Sequence, residues 1–263
     1  MVDINKLKDV QTFLLDMDGT FYLGDKLLDG SLDFLSALKK AGKKALFVTN
    51  NSSKSGIVYE EKLARMGVCE EFRKVLTSGQ AAGSYCMREF ANKKAYVLGT
   101  PMFIDELKSM GLNIDHDCPD YVLMGYDTTL DYAKLTIVCD LVRQGVPYIA
   151  THPDFNCPTE TGYAPDIGAM IAFIEASTKR LPDLVIGKPN QGIVSEALRL
   201  TGLEKHQLAM VGDRLYTDIA TGKNFGMLSI LVLTGEATMQ DVASSSVVPD
   251  LIFDRLSDMN EYL

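Results

Sequence analysis

Two aspartates one residue apart, Asp16 and Asp18, follow the apolar run at 13–15 and precede a glycine. If that run is a β-strand that continues, both carboxylates point to the same side of it. Carboxylates held this close repel each other, so the arrangement persists only where something offsets the repulsion. A hard dication such as Mg²⁺ and a nearby lysine are the obvious candidates.

Polar residues of complementary types follow three later apolar runs. Thr49 and Asn50 end one run, Lys188 follows a second, and Asp213 and Asp218 follow a third. In an open parallel sheet, ligands bind outside the carboxyl ends of the strands. These residues are therefore expected to meet the first two aspartates at one edge of the sheet.

This set of side chains suits phosphoryl transfer through an aspartyl intermediate. A carboxylate can attack phosphorus as a nucleophile, and Mg²⁺ prefers one or two carboxylates together with water and substrate phosphate. A lysine and short hydroxyl or amide donors would stabilise charge on the transferring group. A second aspartate could protonate the leaving oxygen and then activate water.

The elements that would position these residues alternate between strand and helix with short loops, which predicts a doubly wound parallel α/β sheet. The first strand is expected at 12–16. From about residue 95 the alternation restarts, so we predict a core formed by 1–80 and 182–263. An inserted, smaller α/β cap would occupy 81–181. Within that cap, 152–166 is predicted to be a long loop.

Composition narrows the classes of function. The 263-residue chain has a formal net charge of −9, which argues against a nucleic-acid binder because such proteins carry a basic footprint. Its five cysteines are scattered and include no C-x-x-C pair, which is typical of reduced cytosolic thiols. The polar start lacks a secretory signal, and no apolar run reaches membrane-span length. A cytoplasmic protein without membrane association is predicted.

Four segments of the sequence, DMDGT, VTNNS, GKP and GDRLYTD, occur in this order, each at a predicted strand end. They closely resemble the four motifs of the haloacid dehalogenase superfamily. The long interval between the second and third motifs is similar to the class IIA, NagD-like subgroup, which includes p-nitrophenyl, nucleotide monophosphate, phosphoglycolate and pyridoxal phosphatases. The resemblance implies a Rossmann-like core, a C2-type cap, and hydrolysis of small phosphate monoesters such as sugar phosphates. Relatives often dimerise through the cap, so it also allows a homo-oligomer.

The resemblance implies a role for each acidic residue at its matching position. Asp16 would be the nucleophile and Asp18 the general acid and base. Asp213 would bind Mg²⁺ together with Asp16 and the backbone carbonyl of Asp18, and Asp218 would support the metal site. Because superfamily dehalogenases lack the second acidic residue, the aspartate at 18 disfavours dehalogenase activity.

The resemblance also implies which residues handle phosphate. Thr49 and Asn50 would bind it, and Lys188 would orient both the phosphate and the nucleophile. In the cap, the sequence leaves open whether residues of the 152–166 segment contact substrate or serve only packing and turns. The residues in question are His152, which replaces an asparagine of the relatives, Asp154, Cys157 and Tyr163.

Two alternatives to hydrolysis remain at this stage. One is phosphotransfer to a hydroxyl other than water, which would use the same residues. The other is a non-catalytic phospho-acceptor module, since receiver domains also place aspartates, a hydroxyl residue and a lysine at strand ends. Receiver domains are much shorter, however, and lack both an inserted cap and the second acidic cluster.

Overall fold

A computed structural model of the protein describes residues 4–159 and 161–263. The chain divides into two compact units. The first comprises residues up to Thr49, Tyr59–Leu76 and Ala197–Leu263; the second comprises Asn50–Val58 and Thr77–Glu196. The domain boundaries at 80/81 and 181/182 stay a prediction. Among the described residues, no helix combines the length and apolarity that crossing a membrane requires.

The strands and helices alternate along most of the chain. The strands are β1 (Thr12–Leu15), β2 (Tyr22–Leu23), β3 (Lys26–Leu27), β4 (Lys44–Thr49), β5 (Val75–Thr77), β6 (Ala95–Leu98), β7 (Tyr121–Met124), β8 (Tyr148–Ala150), β9 (Asn156–Thr159), β10 (Gly162–Pro165), β11 (Leu184–Val185), β12 (Leu208–Gly212), β13 (Leu228–Val232) and β14 (Leu251–Phe253). The α-helices are α1 (Ser31–Lys40), α2 (Gly56–Arg65), α3 (Ser78–Glu89), α4 (Pro101–Met110), α5 (Tyr132–Arg143), α6 (Ile167–Thr178), α7 (Gln191–Thr201), α8 (Ala220–Phe225) and α9 (Met239–Ser244).

The first unit is built on a sheet with the order β14-β13-β12-β1-β4-β5 among the described residues. β1 pairs in parallel with β12 on one side and with β4 on the other, and β12, β13 and β14 also pair in parallel. The chain adds strands on one side of β1 first and later on the other side, so the winding reverses between β1 and β12. Ligands bind at such a switch point in doubly wound folds. The predicted fold class is confirmed.

β1 is the central strand of this sheet, and all four of its residues are buried. A continuous apolar strand is typical of a parallel sheet that is covered on both faces. Phe13 packs edge-on against Phe34 of α1, with 5.5 Å between the ring centroids. Because packing fixes β1 on both faces, the residue that follows it, Asp16, leaves the sheet at a defined position.

The second unit contains a smaller parallel sheet with the order β11-β8-β7-β6. It also contains an antiparallel hairpin of β9 and β10. The prediction of a loop over 152–166 is therefore wrong for the hairpin strands, while residue 160 lies outside the described residues. Prolines and polar residues mask the alternation, and β10 is mostly exposed, so neither face leaves a clear apolar signature.

Candidate active site

Three carboxylates of the first unit lie close together beyond the carboxyl ends of neighbouring strands. Asp16 follows β1, Asp213 follows β12, and Asp218 lies in the helical turn Leu215–Ile219. Each offers an oxygen atom, and the three oxygens lie within 4.8 Å of one another. Asp213 and Asp218 are buried, and Asp16 is half-buried. Since Mg²⁺ and Ca²⁺ take hard carboxylate oxygens, the residues present fit a divalent metal.

The Asp213 carboxylate is held by two hydrogen bonds. Its Oδ1 accepts from the Thr20 hydroxyl at 3.0 Å, and its Oδ2 accepts from the backbone N–H of Glu236 at 2.8 Å. Burial, followed by the negative charge of Asp16, nevertheless raises the pKa of Asp213 to about 6. The site therefore holds negative charge that the surrounding protein offsets only in part, and a bound cation would relieve it.

Three glycines lie directly against two of these carboxylates. A Cβ on Gly19 would lie 2.5 Å from Asp213 Oδ2, and one on Gly235 would lie 2.0 Å from the same oxygen. A Cβ on Gly212 would lie 2.2 Å from Asp218 Cγ. Any side chain at these positions would displace a carboxylate. Gly19 additionally has φ +88°, a conformation that side chains disfavour.

Asp18 faces the hairpin formed by β2 and β3, which we call the flap hairpin (Tyr22–Leu27). Its Oδ1 accepts a long hydrogen bond of 3.4 Å from Gly24 N. Desolvation raises the pKa of the Asp18 carboxyl, and the negative charge of Asp16 raises it further. The hydrogen bond from Gly24 and the positive charge of Lys62 lower this pKa but do not cancel the rise. A raised pKa suits a carboxyl that must carry a proton to a leaving group.

Lys62 of α2 contacts the flap hairpin at three residues. Its ammonium donates to Gly24 O at 2.7 Å and lies 3.9 Å from the centroid of the Tyr22 ring, a cation–π geometry. It also lies 3.5 Å from the Asp25 carboxylate. One lysine thus joins three residues of the hairpin that donates a hydrogen bond to Asp18. Sequence reasoning assigned no role to this side chain.

Arg214 is a cation beside the acidic cluster that sequence reasoning also missed. Its Nε lies 3.0 Å from the Glu236 carboxylate. Burial disfavours the charged guanidinium, yet the negative charges of Asp16, Asp213 and Glu236 raise the pKa of Arg214 above its ordinary value. Its position directly after Asp213 was the available signal, because a cation next to clustered acids offsets their charge.

Thr49 is half-buried and ends β4 in the first unit, while Asn50 is the first residue of the second unit. The Asn50 side chain pairs with the backbone of Lys188. Its Oδ1 accepts from Lys188 N at 2.8 Å, and its Nδ2 donates to Lys188 O at 3.0 Å. Nδ2 also donates to the Asp154 carboxylate, at 3.1 Å to the nearer oxygen. Both amide hydrogens are therefore engaged by protein groups.

The residues named from the sequence in the predicted cap occupy different environments. Asp154 bonds to Asn50, and His152 is fully buried. Tyr163 lies on β10 and is 74% exposed, and Cys157 lies on β9 and is half-buried. His152 therefore belongs to the interior of the second unit, whereas Tyr163 is open to solvent.

Two family models match the chain. A model described as haloacid dehalogenase-like hydrolase matches residues 13–113, and a HAD-hydrolase-like model matches residues 185–259. Together they cover the strand-end residues at both ends of the chain.

Relatives match over nearly the whole length. An acid sugar phosphatase of Staphylococcus epidermidis is 37% identical over 252 residues, covering 95% of this chain and 97% of the relative. The crystal structure of a 4-nitrophenylphosphatase from Thermotoga maritima superposes with a TM-score of 0.93 at 46% identity, covering 97% of this chain and 98% of that one. A glycerol phosphate phosphatase of Mycobacterium tuberculosis in complex with magnesium has a TM-score of 0.88 at 29% identity, covering 98% and 78%.

Proposed function

The chain belongs to the haloacid dehalogenase-like hydrolase family, and from that membership we propose that it hydrolyses phosphate monoesters through an aspartyl-phosphate on Asp16. It is a phosphatase of small phosphate esters. The observation that carries the proposal is the cluster of Asp16, Asp213 and Asp218, whose oxygens lie within 4.8 Å of one another at the switch point of the sheet.

In the proposed mechanism an Asp16 oxygen attacks phosphorus, and the bond from phosphorus to the ester oxygen breaks. Asp18 gives its proton to the departing oxygen, which its raised pKa favours. The deprotonated Asp18 then takes a proton from a water molecule that attacks the aspartyl-phosphate. This second step frees Asp16 and releases inorganic phosphate.

We propose Mg²⁺ as the metal. Asp16 and Asp213 would hold it, with the backbone carbonyl of Asp18 and support from Asp218. When bound, the cation offsets the negative charge that nucleophile and phosphate would otherwise bring together. The donor set and the raised pKa of Asp213 support a divalent cation at this position.

Thr49, Asn50 and Lys188 are proposed to bind the phosphate group. Because both amide hydrogens of Asn50 are engaged, its contribution would come from the backbone N–H, while its side chain holds the Lys188 peptide. The name of the acid sugar phosphatase relative supports sugar phosphates as candidate substrates. Cytoplasmic location and self-association through the cap stay predictions.

A substrate panel with the purified protein tests the proposal. The panel contains p-nitrophenyl phosphate, hexose phosphates, glycerol phosphate and nucleoside monophosphates, each assayed with Mg²⁺ and with excess chelator. We expect hydrolysis that requires Mg²⁺ and is abolished in Asp16→Asn. Rapid acid quenching of the wild type should trap phosphate on the protein.

Asp33→Asn is the matched control, since Asp33 is an exposed aspartate of α1 in the same unit. It should retain wild-type turnover. Substantial turnover by Asp16→Asn would remove the nucleophile assignment. Adding alcohol acceptors to the wild-type reaction tests phosphotransfer: a phosphorylated acceptor in place of inorganic phosphate would favour transfer over hydrolysis.

A further inference from the structure

His152 is a fully buried histidine that directly follows the short strand β8 and its neighbour Thr151. Its ring makes polar contacts on both sides. Nε2 lies 3.0 Å from Asp166 Oδ1, while Nδ1 lies 3.1 Å from Thr151 Oγ1 and 3.4 Å from Ser78 Oγ. A buried imidazole with partners at both nitrogens is held in one orientation.

The direction of the hydrogen bond at Nε2 follows from the chemistry of Asp166. An Asp166 oxygen already accepts from the backbone N–H of Ile167 at 2.6 Å, which caps the start of α6. We assign the proton of this contact to His152 Nε2, because a carboxylate group accepts hydrogen bonds. With that assignment Nδ1 is an acceptor, and the Thr151 hydroxyl can donate to it.

Both hydroxyl groups on the Nδ1 side reach the segment that follows β4. The Ser78 hydroxyl donates to the backbone carbonyl of Asn50. The Thr151 hydroxyl lies 2.9 Å from the hydroxyl of Ser52, which in turn accepts from the backbone N–H of Tyr126. His152 is therefore connected to this segment by hydrogen bonds through Thr151, while Ser78 packs beside its ring, and both of these side chains are buried.

The same segment holds the backbone of Lys188 through the Asn50 amide, and packing reinforces the connection. Gly187 N donates to Thr151 O at 2.7 Å. A Cβ on Gly187 would lie 2.6 Å from Asn50 Oδ1 and 2.8 Å from His152 Cβ. The peptide that leads into Lys188 is thus packed against Asn50, the Thr151 carbonyl and the Cβ of His152.

We propose that His152 is a positioning residue for the phosphate-binding groups of this phosphatase, acting through Thr151 and Ser52 on the segment of Asn50 and, through Asn50, on Lys188. The proposal rests on the proposed function, because it takes Asn50 and Lys188 as the groups that bind phosphate. The Asp166 side of the ring sets the ring orientation, and the Nδ1 side transmits it.

Two substitutions separate the two sides of the ring. The amide oxygen of asparagine stands as many bonds from Cβ as histidine Nδ1 does and accepts as Nδ1 would, so His152→Asn keeps an acceptor for the Thr151 hydroxyl and loses Asp166. The amide nitrogen of glutamine corresponds to Nε2, so His152→Gln keeps Asp166 and loses the hydroxyls. The quantities to measure for each variant are KM, kcat and the inhibition constant of inorganic phosphate, all with Mg²⁺ present.

We expect His152→Gln to raise both KM and the phosphate inhibition constant by about tenfold, the effect of losing the hydrogen bond to the Thr151 hydroxyl. His152→Asn should raise them by less than about threefold, with kcat changing less than KM in both variants. Equal losses in the two variants, wild-type values in both, or the reverse order would overturn the proposal.

A control separates positioning from simple loss of stability. Asp131 caps α5 in the same unit by accepting from Lys134 N, and no described contact joins it to His152. Asp131→Ala should lower thermal stability and leave KM unchanged. If the His152 variants do not fold, Thr151→Val removes only the hydroxyl that joins His152 to Ser52. It should raise KM in the same way, and an unchanged KM would overturn the proposal.

A spectroscopic measurement tests the assignment without turnover. The chain has three histidines, of which His116 and His206 are exposed. In ¹⁵N-histidine protein, one ring should show a slowly exchanging Nε2 proton that disappears in the His152 variants; an unprotonated Nε2 would contradict the assignment. If the wild type hydrolyses no ester, the proposed function fails by itself, and calorimetric phosphate binding to the two variants still decides the role of His152.

Discussion

Replacing Asp213 with asparagine should stabilise the metal-free protein at neutral pH while abolishing its response to Mg²⁺. Asparagine has the shape of aspartate, and it can keep both hydrogen bonds of the site. Its Oδ1 can accept from Glu236 N, and its Nδ2 can donate to the Thr20 hydroxyl, which accepts as well as donates. The substitution therefore removes mainly the charge.

The magnitude follows from the pKa of Asp213, which burial and then the charge of Asp16 raise from 3.8 to about 6. A carboxyl with a raised pKa binds its proton more tightly in the folded state than in the unfolded chain. Stability therefore falls as pH rises from about 4 to about 6, and the full penalty is present above that range. A shift of about two pKa units corresponds to a penalty of about 3 kcal/mol.

Urea denaturation followed by far-ultraviolet circular dichroism measures this penalty, since the chain contains no tryptophan for fluorescence. With excess chelator at pH 7.5, Asp213→Asn should be more stable than the wild type by up to about 3 kcal/mol. The difference should shrink as pH falls towards 4. Adding Mg²⁺ should stabilise the wild type by mass action and leave the variant unchanged.

A variant less stable than the wild type at pH 7.5 without metal would refute the reasoning, since the buried charge would then contribute favourably. A stability difference that stays constant between pH 4 and pH 7.5 would also refute it, because the effect would not arise from titration. Asp33→Asn, on an exposed face of the same unit, provides the control for removing an aspartate without removing a buried charge.

Three further substitutions follow from the same geometry. Gly235→Ala should weaken Mg²⁺ binding by about tenfold or more, measured by calorimetry, because its Cβ would lie 2.0 Å from an Asp213 oxygen. Lys62→Met should speed amide hydrogen exchange in the flap hairpin and lower kcat, because it removes the ammonium that fastens this hairpin. Asn50→Asp should cost about 1–3 kcal/mol of stability, measured by urea denaturation, and most of the activity, because a carboxylate would face Asp154 and a backbone carbonyl.

Each of these expectations has a contrary outcome. Wild-type Mg²⁺ affinity in Gly235→Ala would mean that the metal site tolerates a side chain at position 235 beside Asp213. Unchanged hydrogen exchange in Lys62→Met would mean that strand pairing alone holds the flap hairpin. An active, stable Asn50→Asp protein would show that the amide contacts of Asn50 do not hold the Lys188 backbone.

The proximity of the strand-end residues in the first unit was predictable, because the topology of a parallel sheet determines where its strands end. Apolar runs that end in Asp16 and Asp213 predict parallel strands, and the carboxyl ends of neighbouring strands lie at one edge. The structure places β1 and β12 side by side, so these two aspartates and Asp218 come together as expected. The alternation and the resemblance of the motifs predicted a shared sheet edge, while the strand order that makes β1 and β12 neighbours comes from the structure.

Other features could not be read in the same way because they depend on side-chain contacts between distant segments. The hairpin of β9 and β10 gave no apolar alternation, so its pairing was missed. Asn50 was predicted to bind phosphate, yet nothing in the sequence indicated that its amide pairs with the backbone of Lys188, 138 residues away. His152 likewise meets Ser78 and Asp166 only through the fold.

The acidic cluster and the His152 contacts have opposite effects on the stability of the fold. The adjacent glycines Gly19 and Gly235 and two hydrogen bonds fix Asp213 at a position where its negative charge is unfavourable until a cation is bound. Removing that charge should therefore stabilise the metal-free fold. His152 is satisfied on both sides by protein groups, so removing either side should weaken the local structure, and removing the Nδ1 side should also weaken phosphate binding. Loss of activity should therefore accompany a gain of stability at Asp213 and a loss of stability at His152, a contrast that one denaturation series with matched kinetics can measure.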